Sequence, residues 1–144
     1  MTLLSDVEIE RRIQDRSLVI NPFDSTCLNG AGYDLRLADS IHIGSHEYHL
    51  AATLESIELG EEIVGTLHIR SSLARAGIFA SLALVDPGFR GQLTIALHNA
   101  GTGPFTLNRN DKFLQIVFHT LTTKTLRPYR GRYQDSQGIV ERRQ

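Results

Sequence analysis

Arg70, Ser71, Ser72 and Arg75 stand close together in IRSSLARAG, the stretch from Ile69 to Gly77. The pattern turns there from strand to a short helical piece. Two guanidinium groups, two hydroxyls and free backbone N–H groups are what a phosphate chain needs. The same residues also suit a helix start with serine as the cap and arginine as solvated surface. A second stretch, VDPGF from Val85 to Phe89, has Pro and then Gly at the centre of a turn. That is the type II pattern, because glycine tolerates the positive φ required at the third position. It predicts a hairpin with Asp86 at its first corner and Phe89 at its last. An acid beside a rigid hairpin can orient a water or a sugar hydroxyl, or it can simply start the turn through its side chain. The second arm reads QLTIALHN, so Leu93, Ile95 and Leu97 point one way and Thr94, Ala96 and His98 the other. In NGAGYDLRL, Asp34 lies between Tyr33 and Leu35 and reads as a charge on the solvent face.

Other chemistry is less well supported. His42, His46 and His49 fall near one turn, but His42 alternates with Ile41 and Ile43. It belongs on a polar strand face, and the spacing does not match the His pair, Glu and distant ligand of a jelly-roll metal site. Zinc-dependent deamination needs a His or Cys, a Glu and a paired-cysteine motif. Cys27 is the only cysteine of the chain, so that site is excluded, as is any intrachain disulfide. The single cysteine fits a reducing cytoplasm.

These residues need elements to position them. SDVEIERRIQD reads as the one good helix: Ser5 and Glu8 make a capping box, and Val7, Ile9 and Ile13 supply an apolar stripe. Asn21-Pro22 stops regular structure. After Gly32 the pattern becomes short and alternating, in YDLRLADSIHIG, HLAATLESIEL, IVGTLHIRSS, GQLTIALHN and FTLNRNDKFLQIVFHTL. Turn residues separate these at Gly44-Ser45, Gly60-Glu61, Pro87-Gly88, Gly101 to Pro104 and Asn110-Asp111. Many short strands with regular turns predict an all-β barrel or jelly roll. The final YRGRYQDSQGIVERRQ is polar and reads either as a disordered tail or as an arm ordering over a ligand or a neighbouring subunit.

The bulk properties set bounds. A chain of 144 residues with 41% hydrophobic and 22% charged residues suits a single domain with one core. Its net charge of −1 offers no basic excess to hold a nucleic-acid backbone, so a bound anion must be held by a local cluster. The start, MTLLSDVEIERR, has no long apolar core, so no signal peptide is expected, and no apolar run reaches membrane-spanning length. No nucleic-acid or membrane partner is expected, and the expected location is the cytoplasm.

Taken in order, AGYDL, RSSLARAG, VDPGFRGQ and NDKFLQIVF resemble the dUTPase and dCTP deaminase superfamily over nearly the whole chain. The N-terminal LSDVEIERRIQDRSLVINPF, the segment ATLESIELGEEIVGTL and the final YRGRYQDSQGIVERR are similar to the dCTP deaminase branch in particular. The resemblance implies a distorted jelly-roll β-barrel with a short N-terminal helix, forming one domain over 1–144. It implies a homotrimer with shared sites and Mg²⁺ held on the nucleotide phosphates, with Asp34 the candidate to reach that cation through water. Phosphate contacts are implied for Arg70, Ser71, Ser72, Arg75 and Gln115. The same role is implied for Arg132, Gln134 and Gln137 in an arm, about 128–144, that closes over the triphosphate. Val85, Asp86, Phe89, Gly91, Gln92 and Tyr133 would meet base and sugar. Phe89 would exclude a 2′-hydroxyl, and Asp86 would be the catalytic acid that orients water.

Position 96 divides the superfamily's two reactions. In the resemblance, dCTP deaminases carry there a Glu that shuttles protons to and from the pyrimidine; this chain carries Ala96. A methyl group moves no protons, and general acid–base catalysis is worth roughly 10²–10⁴-fold. Ala96-Leu97-His98 resembles the dUTPase pattern, which implies hydrolysis of dUTP to dUMP and pyrophosphate by water attack on the α-phosphorus. The alternatives are a dCTP deaminase, native or inactivated at position 96, and a silent nucleotide-binding module.

Overall fold

The computed structural model describes residues 2–144. In chain order the elements are β1 (Thr2–Leu3), α1 (Asp6–Gln14), β2 (Leu18–Asn21), β3 (Leu28–Asn29), β4 (Gly32–Arg36), β5 (Ile41–Ile43) and β6 (Tyr48–Leu59). They continue with β7 (Ile63–Ile69), α2 (Ser71–Arg75), β8 (Ile78–Ser81), β9 (Arg90–Asn99), β10 (Phe105–Leu107) and β11 (Lys112–Thr120). The fold is mostly β, of distorted jelly-roll type, with a short helix at the start. The alternating segments and the turns between them fall where the sequence pattern predicts.

Hydrogen bonding divides the strands among three sheets, and these do not close into a continuous barrel. In the five-stranded sheet, β11 is the hub: β7 runs along one edge, while β4 and β1 share the other. In the four-stranded sheet the order is β2-β6-β9-β8. β5 and β10 form a separate ribbon. Tyr33, Leu35, Leu114, Ile116 and Phe118 from the first sheet meet Leu18, Ile57, Ile95 and Leu97 from the second in one buried core. Alternation puts these side chains inward, since successive strand residues face opposite sides.

The helix forms as the sequence predicts, with two differences. Ser5 caps it, its hydroxyl accepting from the Glu8 backbone N–H at 3.4 Å. Glu8 does not complete the box, because its carboxylate is taken by Arg11 and Arg12, and the Arg11 hydrogen bond above all holds it below the usual carboxylate range. The apolar stripe is Ile9 and Ile13, while Val7 is 71% exposed. Residues 9 and 13 lie one turn apart on one face, whereas residue 7 is about 200° round the helix from residue 9. Ser5→Ala is expected to cost about 0.5–1 kcal/mol, the lower half of the usual range, because the cap bond is long. Urea denaturation checks this, and a loss above 2 kcal/mol would mean that Ser5 does more than cap.

Three further outcomes depart from the sequence pattern. β8 is a strand that short-range pattern does not reveal; it earns its state by pairing with β9 from Ile78↔Asn99 to Ser81↔Ala96. Asp34 is buried at 7%, not on a solvent face, because both sides of β4 are covered. The turn at Asp86 to Phe89 forms, with the Phe89 N–H bonded to the Asp86 carbonyl and Gly88 at φ 84°. It is not a hairpin, however. Val85 bridges to Gly65 on β7, while β9 pairs with β6 and β8, so the turn carries the chain from one sheet to the other.

The last segment is an ordered arm on its own chain. β8 occupies only the far half of one edge of β9, and the arm takes the near half. Ser136 bridges Gly91 in parallel, and the Asp135 and Gln92 N–H groups bond to the carbonyls of Arg90 and Ser136. The close approach needs a residue without a side chain at Gly91, whose φ is 145°. An added Cβ there would stand 2.8 Å from the Ser136 nitrogen.

Candidate functional site

A cavity of about 460 Å³ opens between the solvent side of β9, the segment after β8 and the arm. That volume lies within the usual range for small-molecule sites. Its floor follows from strand register: Leu50 on β6, Ala96 on β9 and Ser81 on β8 stand directly opposite one another. Alternation turns this row away from the core, where Ile95 and Leu97 are buried. Leu93 departs from the simple alternation. It packs partly on the core and also lines the cavity, beside an irregularity in the β6–β9 register.

Six residues singled out in the sequence come together here: Val85, Asp86, Phe89, Gln92, Tyr133 and Ala96 all line the cavity. Phe89 is buried, its ring meeting Tyr129 edge-on with centroids 5.6 Å apart. Asp86 is exposed at the mouth. Its carboxylate makes no hydrogen bond or ion pair with any described residue, and the turn is closed by its backbone carbonyl instead. Among the described residues it is also the only side-chain carboxylate on the cavity wall. Gln92 is held from both sides, donating to the carbonyls of Thr53 and Leu54 while its oxygen accepts from the Gly138 N–H.

The residues expected at phosphates lie in two other places. Arg70, Ser71, Ser72, Arg75 and Gln115 do not line this cavity, nor does Asp34. Arg70 occupies the cap position of α2, so neither serine caps that helix, and both hydroxyls are exposed. The Arg70 guanidinium stands 3.8 Å from the Asp34 carboxylate, and Gln115 is the cross-strand partner of Asp34. On the arm, Arg132 donates to the Arg143 carbonyl and shares a polar groove with Arg142 and Arg143, and Gln137 is exposed. Gln134 has both ends of its amide engaged with the turn: its oxygen accepts from the Arg90 N–H at 2.9 Å and its nitrogen donates to the Gly88 carbonyl at 2.8 Å.

Sequence reasoning missed Tyr129, Ser136, Val140 and Arg142, all of which line the cavity. Tyr129 had a local signal, an aromatic directly after Pro128 in a polar arm. The other three had none, since only the pairing of the arm with β9 brings them in. Among the described residues no three His, Cys, Asp or Glu side chains gather closely enough to hold a metal ion. His42 is exposed and within hydrogen-bond distance of Thr106. No described helix is long and apolar enough to cross a membrane.

A mostly apolar cavity with one free acid at its mouth and an arm across its wall is the kind of concavity in which small molecules bind. The comparisons narrow this to a family. Residues 39–121 match the model of the dCTP deaminase-like family. A dCTP deaminase of Thermococcus gammatolerans is 40% identical over 96% of this chain and 94% of its own length. A probable deoxyuridine 5′-triphosphate nucleotidohydrolase of Sulfolobus islandicus rod-shaped virus 1 is 32% identical over 96% of both chains. The chain belongs to the dCTP deaminase-like family, within the dUTPase and dCTP deaminase superfamily. Solved structures agree on the fold. A dUTPase variant from phage phi11 of S. aureus has a TM-score of 0.63 at 19% identity, covering 79% of this chain and 97% of that one. A 2′-deoxycytidine 5′-triphosphate deaminase from Agrobacterium tumefaciens has a TM-score of 0.70 at 16% identity, covering 81% of this chain and 47% of that one.

Proposed function

We propose that this chain is an enzyme acting on a pyrimidine deoxyribonucleoside triphosphate, with base and sugar in the cavity beside the Asp86 turn. The single observation that carries this reading is the convergence of Val85, Asp86, Phe89, Gln92 and Tyr133 on one cavity, in a chain of this family. Phe89 supplies the wall against which the sugar packs and against which a 2′-hydroxyl would clash. Asp86, free of partners, is the group available to orient water or take a proton.

Deamination of dCTP to dUTP and ammonia is the reaction that the comparisons favour, because the family and most of the similar curated proteins carry that name. The expectation of dUTP hydrolysis as the leading activity gives way to it on that ground. Deamination in this cavity would route proton transfer through Asp86, since no other carboxylate lines the wall.

Hydrolysis of dUTP to dUMP and pyrophosphate remains the second reading on one specific observation. Ala96 sits mid-floor between Leu50 and Ser81, so the part of the strand face where a deaminase of the superfamily holds its proton shuttle is a methyl group. Hydrolysis needs an acid to orient water and groups to stabilise phosphate charge, and asks nothing of position 96.

Among the described residues no three ligating side chains gather at one point, and in this reading Mg²⁺ enters with the substrate's phosphates. The separation of Arg70, Ser71, Ser72, Arg75 and Gln115 from the cavity supports a homotrimer in which these residues complete a neighbour's site. Sedimentation tests this, and a stable monomer under assay conditions would remove that assembly.

Incubation with dCTP and with dUTP, each with Mg²⁺, separates the readings. Ammonia from dCTP means deaminase. Pyrophosphate and dUMP from dUTP means hydrolase, and binding without turnover means a silent binder. Ala96→Glu sharpens the result. If the parent hydrolyses dUTP, the variant is expected to lose most of that activity, because a carboxylate placed mid-floor crowds the base. Ammonia released from dCTP by the variant and not by the parent would show a deaminase scaffold lacking only its shuttle. Burial raises a carboxyl pKa, so the assay should span a range of pH.

A further inference from the structure

We propose that Gln134 is a positioning residue, the clasp through which the arm and the Asp86 to Phe89 turn hold one another in place. Its role in catalysis rests on the functional reading above; its role in joining arm to turn does not.

The turn is short and bears the only free acid of the cavity. Several attachments hold the arm against the turn and the first residues of β9. At the start, the Tyr129 N–H donates to the Pro87 carbonyl at 2.8 Å, and Gly88 leaves room for Pro128, whose Cβ would stand 2.7 Å from an added Cβ. At the far end, Gly138 and Val140 donate to the side chains of Gln92 and Thr94. Between them lies Gln134. One planar amide accepts from the Arg90 N–H and donates to the Gly88 carbonyl, so it spans Phe89 from both sides. Among the described residues no other arm side chain bonds both to the turn and to the first residue of β9. The next residue repeats the link with its charge: Asp135 pairs with Arg90, and its N–H donates to the Arg90 carbonyl at 2.8 Å.

A primary amide offers a donor and an acceptor side by side in one plane, without charge. It matches a backbone carbonyl and an N–H two residues apart, as here. This use also explains why Gln134 is not free for a phosphate while the arm lies in place. The clasp makes opening of the arm and loosening of the turn a single event. The wall that carries Phe89 and Asp86 is then set only when the arm is down.

Gln134→Leu removes both bonds at similar size, and Gln134→Glu keeps the acceptor but sets a carboxylate against the Gly88 carbonyl. Hydrogen exchange in the free protein reads the coupling. In the leucine variant the Arg90, Asp135, Gly138 and Val140 amides are all expected to exchange roughly tenfold faster or more, together. In the glutamate variant Arg90 keeps more protection than the arm amides. With whichever of dCTP or dUTP the parent turns over, Gln134→Leu is expected to lower kcat/KM about tenfold. The larger share falls in KM, and the melting temperature falls by no more than about 5 °C. Faster exchange at Arg90 alone would overturn the coupling. A loosened arm with unchanged kcat/KM would overturn the positioning role. A parent inert toward both nucleotides removes the proposed function, and the exchange pattern then decides the clasp by itself.

Discussion

Asp86→Asn is expected to lower kcat by about 10²-fold or more, with nucleotide affinity within a few fold of the parent. The variant keeps the shape of the side chain and removes its charge and its capacity to take a proton. The turn should survive, because it is closed by the backbone bond from Phe89 to the Asp86 carbonyl and by the positive φ of Gly88. The Asp86 side chain takes no part in that closure, so stability should change by no more than about 0.5 kcal/mol. The prediction holds for both reactions under consideration. Water attack on phosphorus needs the acid to orient the nucleophile, and deamination in this cavity needs the same acid to move protons. Steady-state kinetics with each nucleotide checks it. Near-normal kcat would return Asp86 to the status of a turn residue.

Glu55→Ala is expected to destabilise the fold by about 3 kcal/mol, at the lower end of the range for breaking a buried ion pair. Glu55 is fully buried on β6 and accepts from the Arg36 backbone N–H at 2.9 Å and from its guanidinium at 2.7 Å. It thereby pins β4 against β6, between the two sheets. Removing it leaves the Arg36 guanidinium, with only 15% of its side chain exposed, dependent on Asp24 at 3.2 Å and on the Pro22 carbonyl at 3.4 Å. Those remaining partners are why the lower end is expected. A loss of this size is a large share of the stability of a domain, about 5–15 kcal/mol. Urea denaturation reads it directly, and a change below 1 kcal/mol would mean that the pair is easily replaced by water. The effect should appear in stability and not in kcat, since Glu55 does not line the cavity.

The two predictions differ in how visible their residues were beforehand. Asp86 could be found from four adjacent residues, because a Pro-Gly centre dictates a turn and an acid at its corner is conspicuous. Glu55 was marked only by strand parity: in HLAATLESIEL it shares a face with Ile57 and Leu59, which alternation turns inward, and its pairing with Arg36 is what lets a carboxylate stay there. Asp34 misled for another reason. Strand alternation tells which residues share a face, but not whether that face meets water or another layer.

Local order was thus decided by the sequence itself. Apart from β8 and Leu93, where strands run, where they turn, where the helix starts and which residues of β9 look away from the core follow from patterns a few residues long. Those patterns work because side-chain periodicity and turn geometry depend on near neighbours. Family membership was legible too, since its motifs are short and contiguous. Tertiary structure alone decided what depends on register between distant strands. It aligned Ala96 with Leu50 and Ser81 to make a floor, and it sent the two sides of the Asp86 turn to different sheets. It laid the arm along the half of β9 that β8 leaves open, where Gln134 closes on the turn. Nothing within a few residues of 134 encodes that contact; it exists because an unpaired strand edge must satisfy its backbone N–H and carbonyl groups, and the arm is the segment that reaches it.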